Sequence, residues 1–265
     1  MGRLLTLLRK KGVRYQAILS ALEGQDTPAD APTVAWLEEH YAGQPWMVLS
    51  NPTDRIRLPL RGEGTARAWW GDGTEQTEAL ASGSDTTVER VYASAATRGV
   101  VVLGDVREFR ATTSGDLTSF GGDVANLPAG LTYLLVRGSN TLSGDVAGLP
   151  ADLEFLDVSG SNELSGDIAN LPAGLTLLSV RGSNTLTATS DVLPAPLSHC
   201  RVSRLTVQSE VDHVLAAMVA IIGETKPRND RVVQLNEDGG AAPSAAGLAD
   251  RDTLVAAGYT VTVAS

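Results

Sequence analysis

Residues 122–187 are one 22-residue unit written three times: GDVANLPAGLTYLLVRGSNTLS from Gly122, GDVAGLPADLEFLDVSGSNELS from Gly144, and GDIANLPAGLTLLSVRGSNTLT from Gly166. A fixed period of this length is typical of stacked structural units, because each unit covers the apolar face that its neighbour leaves exposed. The repeat therefore predicts a solenoid in the middle of the 265-residue chain. Arrays of this kind commonly bind partners and rarely carry chemistry of their own.

Each copy carries the pattern Leu-x-x-Leu-x-Val-x-Gly-Ser-Asn-x-Leu, which resembles a leucine-rich repeat with one extra residue before the asparagine. The positions are Leu131, Leu134, Val136, Asn140, Leu142; Leu153, Leu156, Val158, Asn162, Leu164; and Leu175, Leu178, Val180, Asn184, Leu186. We expect the apolar residues to point inward from a short strand, and the asparagines to stack as a ladder that satisfies backbone groups. Degenerate copies flank the clean ones, with Val106, Phe109, Ala111 and Leu117 before them and Leu197, Cys200 and Val202 after them. About five rungs are therefore predicted, the outer two atypical as capping rungs are.

The other half of each unit predicts a return side with little helix. Gly-Asp pairs at 122–123, 144–145 and 166–167 favour a turn. Leu-Pro steps at 127–128, 149–150 and 171–172 require extended backbone, because proline crowds the residue before it out of the helical region.

Residues 51–105 predict short antiparallel strands. The segments are 55–60, where Pro59 favours a sheet edge, 65–74, which runs into an Asp-Gly hairpin turn, 86–92 and 99–105. The run Trp70-Gly71-Asp72-Gly73, followed by a Val-Tyr strand, resembles the PKD-type domain, in which a later His-x-Tyr is usual. Arg90 stands at the histidine position. The resemblance implies a β-sandwich over 51–105.

Residues 208–265 predict an α/β cap, with helices at 210–222 and 248–257 and strands at 231–236 and 259–263. The strings Leu235-Asn236, Ala242-Pro243-Ser244 and Gly258-Tyr259-Thr260-Val261 resemble the C-terminal cap of bacterial and phage leucine-rich-repeat proteins. The usual Gly-Trp-x-Val of such caps is Gly-Tyr-x-Val here.

The first 50 residues predict a helical attachment segment, with helices at 3–23 and 33–43. Residues 1–23 hold five basic side chains and one acidic, a net charge of +4, while the whole chain carries −10, so the remainder carries −14. A basic head on an acidic body indicates docking onto something acidic, and a solvated helix face is the alternative. The candidate attachment residues are Arg3, Leu4, Leu8, Arg9, Lys10, Lys11 and Arg14.

Charge and hydropathy argue against several classes of protein. A net charge of −10 disfavours a nucleic-acid partner. The N-terminal apolar run is too short for a signal peptide and is interrupted by basic residues from Arg9 to Lys11, so we expect no export by the general secretory route. Apolar runs long enough to span a bilayer are absent from the sequence, so we expect no membrane insertion.

Residue patterns typical of catalysis are also missing. His40, His199 and His213 show neither metal nor triad spacing, and no glycine-rich phosphate loop occurs. Cys200 falls on an inward rung position, which favours a buried core residue. The stacked Gly-Asp pairs permit calcium binding, but the nine-residue repeat of calcium-binding β-rolls is absent, so turn formation is favoured. We expect no catalytic residue, no metal and no cofactor.

The outward residues of the rungs predict a partner-binding surface in three columns. The columns are Glu108, Tyr133, Phe155, Leu177, His199; Arg110, Leu135, Asp157, Ser179, Arg201; and Thr112, Arg137, Ser159, Arg181, Ser203. An exposed apolar patch with arginines at its rim has the composition of an interface. The candidate binding residues are Tyr133, Leu135, Arg137, Phe155, Asp157, Leu177, Arg181, His199 and Arg201. The alternative is that the β-sandwich or a neighbouring subunit covers this patch.

The modules together indicate a mainly β protein with some α: N-terminal helices over 1–50, a PKD-like β-sandwich over 51–105, a leucine-rich-repeat solenoid over 106–207 and an α/β cap over 208–265. This combination resembles phage-encoded or prophage-encoded structural proteins. The resemblance implies an accessory virion component, a decoration protein, head fibre or tail-associated fibre, that is homo-oligomeric on the particle. Its N-terminus would contact other virion proteins, and its repeats would face the host surface or a virion partner. The alternative is a cellular adhesin or adaptor, in the bacterial cytoplasm or at the cell surface, that recognises a protein partner.

Overall fold

The computed structural model describes residues 46–51, 54–70, 74–94, 98–111, 121–138, 141–160, 162–222, 231–236 and 240–264. Over these residues the fold is mainly β, as predicted, and contains a β-solenoid of about four turns. Several predictions lie outside the described residues: the helices at 3–23 and 33–43, the attachment residues from Arg3 to Arg14, His40, Thr112, Leu117 and Asn140.

The described part of the chain forms fifteen strands and two α-helices. The N-terminal strands are β1 (Trp46–Asn51), β2 (Arg55–Trp69), β3 (Glu75–Ala79), β4 (Thr86–Val91) and β5 (Arg98–Ala111). The repeat strands are β6 (Gly121–Asp123), β7 (Tyr133–Val136), β8 (Thr141–Asp145), β9 (Phe155–Val158), β10 (Glu163–Asp167), β11 (Leu177–Val180), β12 (Thr185–Thr187) and β13 (His199–Val202). The C-terminal elements are α1 (Gln208–Ala220), β14 (Val232–Leu235), α2 (Ala245–Ala256) and β15 (Thr260–Thr262).

The repeats build two parallel ribbons of strands. The first ribbon runs β5, β7, β9, β11, β13, β14, β15, and the second runs β6, β8, β10, β12. β1 lies between β5 and β6 and pairs with both in the antiparallel sense, so the ribbons join at the N-terminal end of the solenoid. The sequence predicts only that the return side is poor in helix, and the structure adds the second ribbon of strands there.

The inward positions of the rungs are buried, as predicted. All of the described ones are at most 3% exposed: Leu131, Leu134, Val136, Leu142, Leu153, Leu156, Val158, Asn162, Leu164, Leu175, Leu178, Val180, Asn184 and Leu186. The described positions of the flanking degenerate rungs, Val106, Phe109, Ala111, Leu197, Cys200 and Val202, are equally buried. Stacking is what buries these side chains, because one strand alone leaves its inward face open on both sides.

Buried asparagines tie consecutive turns together. Asn162 Oδ1 accepts from the Leu142 backbone N–H at 2.8 Å, and its Nδ2 donates to the Ser159 carbonyl at 2.9 Å and the Val136 carbonyl at 3.3 Å. Asn184 repeats these bonds one turn later, with Leu164, Arg181 and Val158. The predicted ladder is therefore confirmed for the two asparagines that are described.

The Gly-Asp pairs are not simple turns, and this prediction needs correction. Each pair ends a strand of the second ribbon, and its aspartate caps the 3₁₀ helix that follows. The carboxylates of Asp123, Asp145 and Asp167 accept from the backbone N–H two residues on, at 2.9, 2.8 and 3.0 Å. The Leu-Pro steps are extended, as predicted, with ψ near 150° at the leucines.

The antiparallel strands at the N-terminal end are more continuous than the sequence predicts. β2 is one strand where two are predicted, and it pairs with β3, β4 and β5, with register shifts beside Gly62. A Cβ at residue 62 would lie 1.9 Å from the Asp105 carbonyl oxygen, so only glycine allows β2 and β5 this approach. Among the described strands, residues 55–59 pair with β4 alone, which agrees with the predicted edge position of Pro59.

The tryptophan turn and the tyrosine strand of the N-terminal region are in contact. β2 and β3 pair in the antiparallel sense, and the Trp70 backbone N–H donates to the Thr74 carbonyl at 3.1 Å, while the Asp-Gly turn predicted at 72–73 lies outside the described residues. Trp70 and Tyr92 are buried, and the Tyr92 hydroxyl donates to the Trp70 carbonyl at 2.8 Å. The Arg90 guanidinium lies 5.9 Å from the centre of the Tyr92 ring.

Two strands run across the predicted module boundaries. The boundary after residue 50 falls inside β1, and the boundary after residue 105 falls inside β5. β1 is fixed by strands far along the chain, and such pairing leaves no local signal in the sequence. β14 and β15 pair in parallel with β13 and with each other, so the C-terminal region extends the first ribbon.

The C-terminal region also continues the polar contacts of the repeats. Its helices and strands lie within a few residues of their predicted positions. Asn236 occupies the ladder position after β14, where its Oδ1 accepts from the Leu205 N–H at 2.8 Å. Asp212 on α1 accepts from the Ser244 N–H at 2.9 Å, and Ser244 caps α2 by accepting from the Gly247 N–H. The two helices are thereby joined at the start of α2.

The Cys200 thiol is expected to be unreactive in the folded protein. The residue is fully buried, and burial raises the pKa of its thiol to about 12. Because folding favours the neutral thiol, this contribution to stability is complete below the unfolded pKa of about 8.5 and declines as the pH rises above that value. The protein has one cysteine, so a thiol reagent at pH 8 should label no site in buffer and one site in urea. Equal labelling rates in buffer and in urea would contradict the burial.

Candidate binding face of the repeat sheet

The register of the first ribbon brings the predicted columns together. Paired positions run Glu108, Tyr133, Phe155, Leu177, His199 in one row and Arg110, Leu135, Asp157, Ser179, Arg201 in the next. The parallel pairing continues the first row to Val232 of β14 and Thr260 of β15, and the second row to Gln234 and Thr262. Neighbouring strands are about 4.8 Å apart, so side chains within a row are in contact distance. We call the outward side of β5, β7, β9, β11 and β13 the repeat face.

The first row forms a packed ridge. The Tyr133 and Phe155 rings are stacked, with centroids 4.0 Å apart and planes 10° apart. The Arg110 guanidinium covers the other face of Tyr133, at 4.2 Å from its centroid. Burial raises the pKa of the Tyr133 hydroxyl, and the nearby Arg110 charge opposes that rise in part. The Tyr133 ring is therefore packed against both Phe155 and Arg110.

The ridge is not the exposed apolar patch that the sequence predicts. Tyr133, Leu135, Phe155 and Leu177 are half-buried, and His199 is only 5% exposed. The reason is that rings and aliphatic chains in one row cover each other when their strands are in register. Each residue of the row nevertheless lies on the predicted outward side of its strand.

An ion pair links Asp157 of the second row to Arg137, which belongs to the third predicted column. Asp157, predicted as an exposed contact residue, is 3% exposed and forms a salt bridge with the exposed Arg137. The hydrogen bond to Asp157 raises the pKa of the Arg137 guanidinium. On the same face, Glu108 lies 2.7 Å from Arg110 and 3.5 Å from Arg61. Both carboxylates that the first two rows contribute are thus paired with arginine.

Two other arginines on this face have no such partner. The Nε atoms of Arg181 and Arg201 are buried without a hydrogen-bond partner, and neither guanidinium pairs with a carboxylate in the described part of the chain. The Ser179 hydroxyl and Asp157 Oδ1 are likewise buried and unbonded. The sequence pattern predicts Ser179 in the second column but does not mark it as a binding residue. The feature of the sequence that points to Ser179 is its place in the row, where its small hydroxyl lies between Asp157 and Arg201.

The described histidines stand apart from one another. His199 is a buried strand residue on the repeat face. His213 lies on α1, where its Nδ1 is 2.6 Å from an Asp191 carboxylate oxygen. Within the described ranges, no three His, Cys, Asp or Glu side chains are grouped so that they could hold a metal ion.

The capping aspartates of the second ribbon are committed to the backbone. At Asp167, burial disfavours ionisation, but hydrogen bonds from the Thr189 side chain and the Ala169 backbone outweigh it and lower the pKa of the carboxyl.

None of the helices in the described residues is both long and apolar enough to cross a membrane.

Comparison with known proteins found no match: no family model, no curated protein and no solved structure is significantly similar to this chain.

Proposed function

We propose that this chain is a non-enzymatic binding protein whose repeat face contacts a protein partner, and that it acts as an accessory component of a bacteriophage particle. The observation that carries the binding role is the repeat face itself. It combines a preformed aromatic ridge with two arginines whose Nε atoms have no hydrogen-bond partner among the described residues. Aromatic and arginine side chains on a rigid support are the residues that dominate binding energy at protein interfaces.

Two features support the module types that we propose. A leucine-rich repeat uses a buried asparagine side chain to bond the backbone of the neighbouring turn, and Asn162 and Asn184 make such bonds here. The hydrogen bond from Tyr92 to the Trp70 carbonyl favours a PKD-like arrangement of the N-terminal strands, with Arg90 beside the tyrosine ring. The second ribbon of strands on the return side is the main departure from a helical leucine-rich repeat.

The phage setting rests on the combination of these modules with a basic N-terminal segment. Residues 1–23 carry a net charge of +4 on a chain of net charge −10. We infer that Arg3, Arg9, Lys10, Lys11 and Arg14 attach the protein to an acidic surface of other virion proteins, with Leu4 and Leu8 as apolar contacts. The repeat face is then presented to the host surface or to a virion neighbour.

Replacing the five basic residues of this segment by glutamine should remove the protein from particles. The change leaves β1 and every strand that pairs with it intact, whereas a deletion of residues 1–50 would remove most of β1. Lysates of induced source cells are banded on a density gradient and probed with antibody against residues 51–265. We expect the unaltered chain to band with particles and the glutamine variant to remain in the soluble fraction.

A second pair of variants tests the repeat face. Leu177→Asp places a charge on the ridge, and Thr185→Asp, on the exposed side of the second ribbon, is the matched control. The ridge variant should lower either the particle content or the adsorption of particles to host cells, and the control should lower neither. Soluble protein with particles banding elsewhere would contradict the virion role, and an unaffected Leu177 variant would contradict the use of this face.

A further inference from the structure

We propose that Arg181 and Arg201, which both neighbour Ser179, form a seat for the carboxylate of an acidic peptide segment. This inference rests on the proposed function, since it names the chemistry of the protein partner that the repeat face would bind. The seat lies beside the aromatic ridge, on the rungs formed by β11 and β13.

The register defines the seat. Ser179 and Arg201 are paired positions on adjacent strands, and Asp157 is the paired position on the other side of Ser179. Arg181 lies two residues after Ser179 and one residue beyond the end of β11, and its backbone N–H still donates to the Val158 carbonyl at 3.2 Å. Because this bond continues the ladder, we expect both side chains on one side of the sheet. Three polar side chains therefore surround the Ser179 hydroxyl at spacings of one strand or two residues.

The polar atoms of this group are buried and unsatisfied. Ser179 is 2% exposed and Asp157 is 3% exposed, and no described residue hydrogen-bonds to Ser179 Oγ, Asp157 Oδ1, Arg181 Nε or Arg201 Nε. A buried donor or acceptor without a partner costs about 1–3 kcal/mol. A ligand that draws the two partly exposed arginine side chains outward and supplies the missing partners recovers that cost when it binds.

The charge of the face selects an acidic ligand. Arg110 and Arg137 are paired with Glu108 and Asp157, whereas Arg181 and Arg201 have no carboxylate partner in the described residues. A guanidinium binds a carboxylate through two parallel N–H donors, and the Arg181 and Arg201 side chains are partly exposed although their Nε atoms are buried. Arg201 neighbours Ser179 on the adjacent strand and Arg181 neighbours it along the chain, so the two guanidinium groups suit the two oxygens of one carboxylate.

The unpaired Asp157 oxygen selects a peptide over a free anion. Asp157 Oδ1 needs a hydrogen-bond donor, and it lies beside the group that needs an acceptor. An acidic residue in a peptide satisfies both requirements, because its side chain supplies a carboxylate and its backbone supplies N–H donors. Inorganic phosphate brings more negative charge next to Asp157 and lacks the backbone donors.

The test is an NMR titration of the full chain labelled with ¹⁵N-arginine, which observes the Nε–H groups directly. The probe is the peptide acetyl-Gly-Glu-Gly-amide, and acetyl-Gly-Gln-Gly-amide is its neutral control. R181K and R201K assign the two signals, since lysine has no Nε–H of this kind. We expect both signals to shift with one saturable curve, and each single variant to weaken peptide binding about tenfold. The signal of Arg251, which is bonded to Asp252, should not move.

Three outcomes would overturn the seat: no shift of either signal, equal shifts with the glutamine peptide, or saturation by inorganic phosphate at a lower concentration than by the glutamate peptide. None of these outcomes touches the proposed function, which is judged by the Leu177→Asp variant on particles and cells. Conversely, a saturable peptide shift combined with an unaffected Leu177→Asp variant would retain the seat and reject the role proposed for the ridge.

Discussion

Asn162→Ala is expected to lower the free energy of unfolding by about 3–5 kcal/mol. Asn162 is fully buried and bonds the turn before it as well as its own. Alanine leaves the Leu142 N–H and the Ser159 carbonyl without these partners, while the Val136 carbonyl keeps the bond from the Ser159 N–H at 3.1 Å. Two buried groups at about 1–3 kcal/mol each, together with the cavity, give the expected loss. Urea denaturation followed by circular dichroism measures it as a lower midpoint.

Asn170→Ala is the matched control for this experiment. Asn170 lies in the same repeat array and is exposed, and the equivalent position of the preceding copy is Gly148. We expect a change within about 0.5 kcal/mol, as for surface positions in general. If the two alanine variants unfolded at the same urea concentration, the asparagine ladder would not stabilise the solenoid.

Gly160→Ala is expected to destabilise the solenoid by about 3 kcal/mol. Gly160 has φ of +90°, a conformation that costs a residue with a Cβ about 1–2 kcal/mol. The added Cβ would also lie 2.6 Å from the Gly138 carbonyl oxygen, in the turn before, so the backbone of two turns must move apart. Thermal unfolding of the variant should therefore begin at a clearly lower temperature.

Gly174→Ala provides the comparison at a glycine of the same unit. The nearest atom to a Cβ at residue 174 is the Leu153 carbonyl oxygen at 4.0 Å, and the preceding copy has Asp152 at this position. Alanine there should leave stability unchanged or raise it by a few tenths of a kcal/mol. Equal loss of stability at both glycines would mean that the turn at Gly160 is not constrained as described.

Much of the solenoid could be predicted because the 22-residue period shows which residues of consecutive turns are paired. Once Leu134, Leu156 and Leu178 are aligned by the 22-residue period, the inward and outward sides of each strand follow from the alternation of side chains. β1 could not be predicted in the same way. Its six residues are fixed by pairing with β5 and β6, and no local pattern records which distant strand a segment will join.

The candidate site was likewise predictable in its arrangement of residues but not in their burial. The rows of the repeat face follow from the alignment, and the structure places Tyr133 beside Phe155 as expected. The degree of burial could not be predicted, because it depends on how far neighbouring side chains lean over each other. Asp157 and Ser179 were therefore expected at the surface, and it is their burial that makes the unbonded polar atoms around Arg181 and Arg201 significant.

Because β1 joins the two ribbons at the N-terminal end, the number of repeats sets the length of the array. Because β1 closes the N-terminal end against both β5 and β6, the antiparallel strands are joined to the first turn, and α1 and α2 belong to the last. Every inner turn has equivalent neighbours on both sides, so the count of 22-residue units can change without altering either end. Each added unit lengthens the protein by one strand spacing, about 4.8 Å. The distance between the two ends of the array therefore increases in fixed steps with the number of repeats.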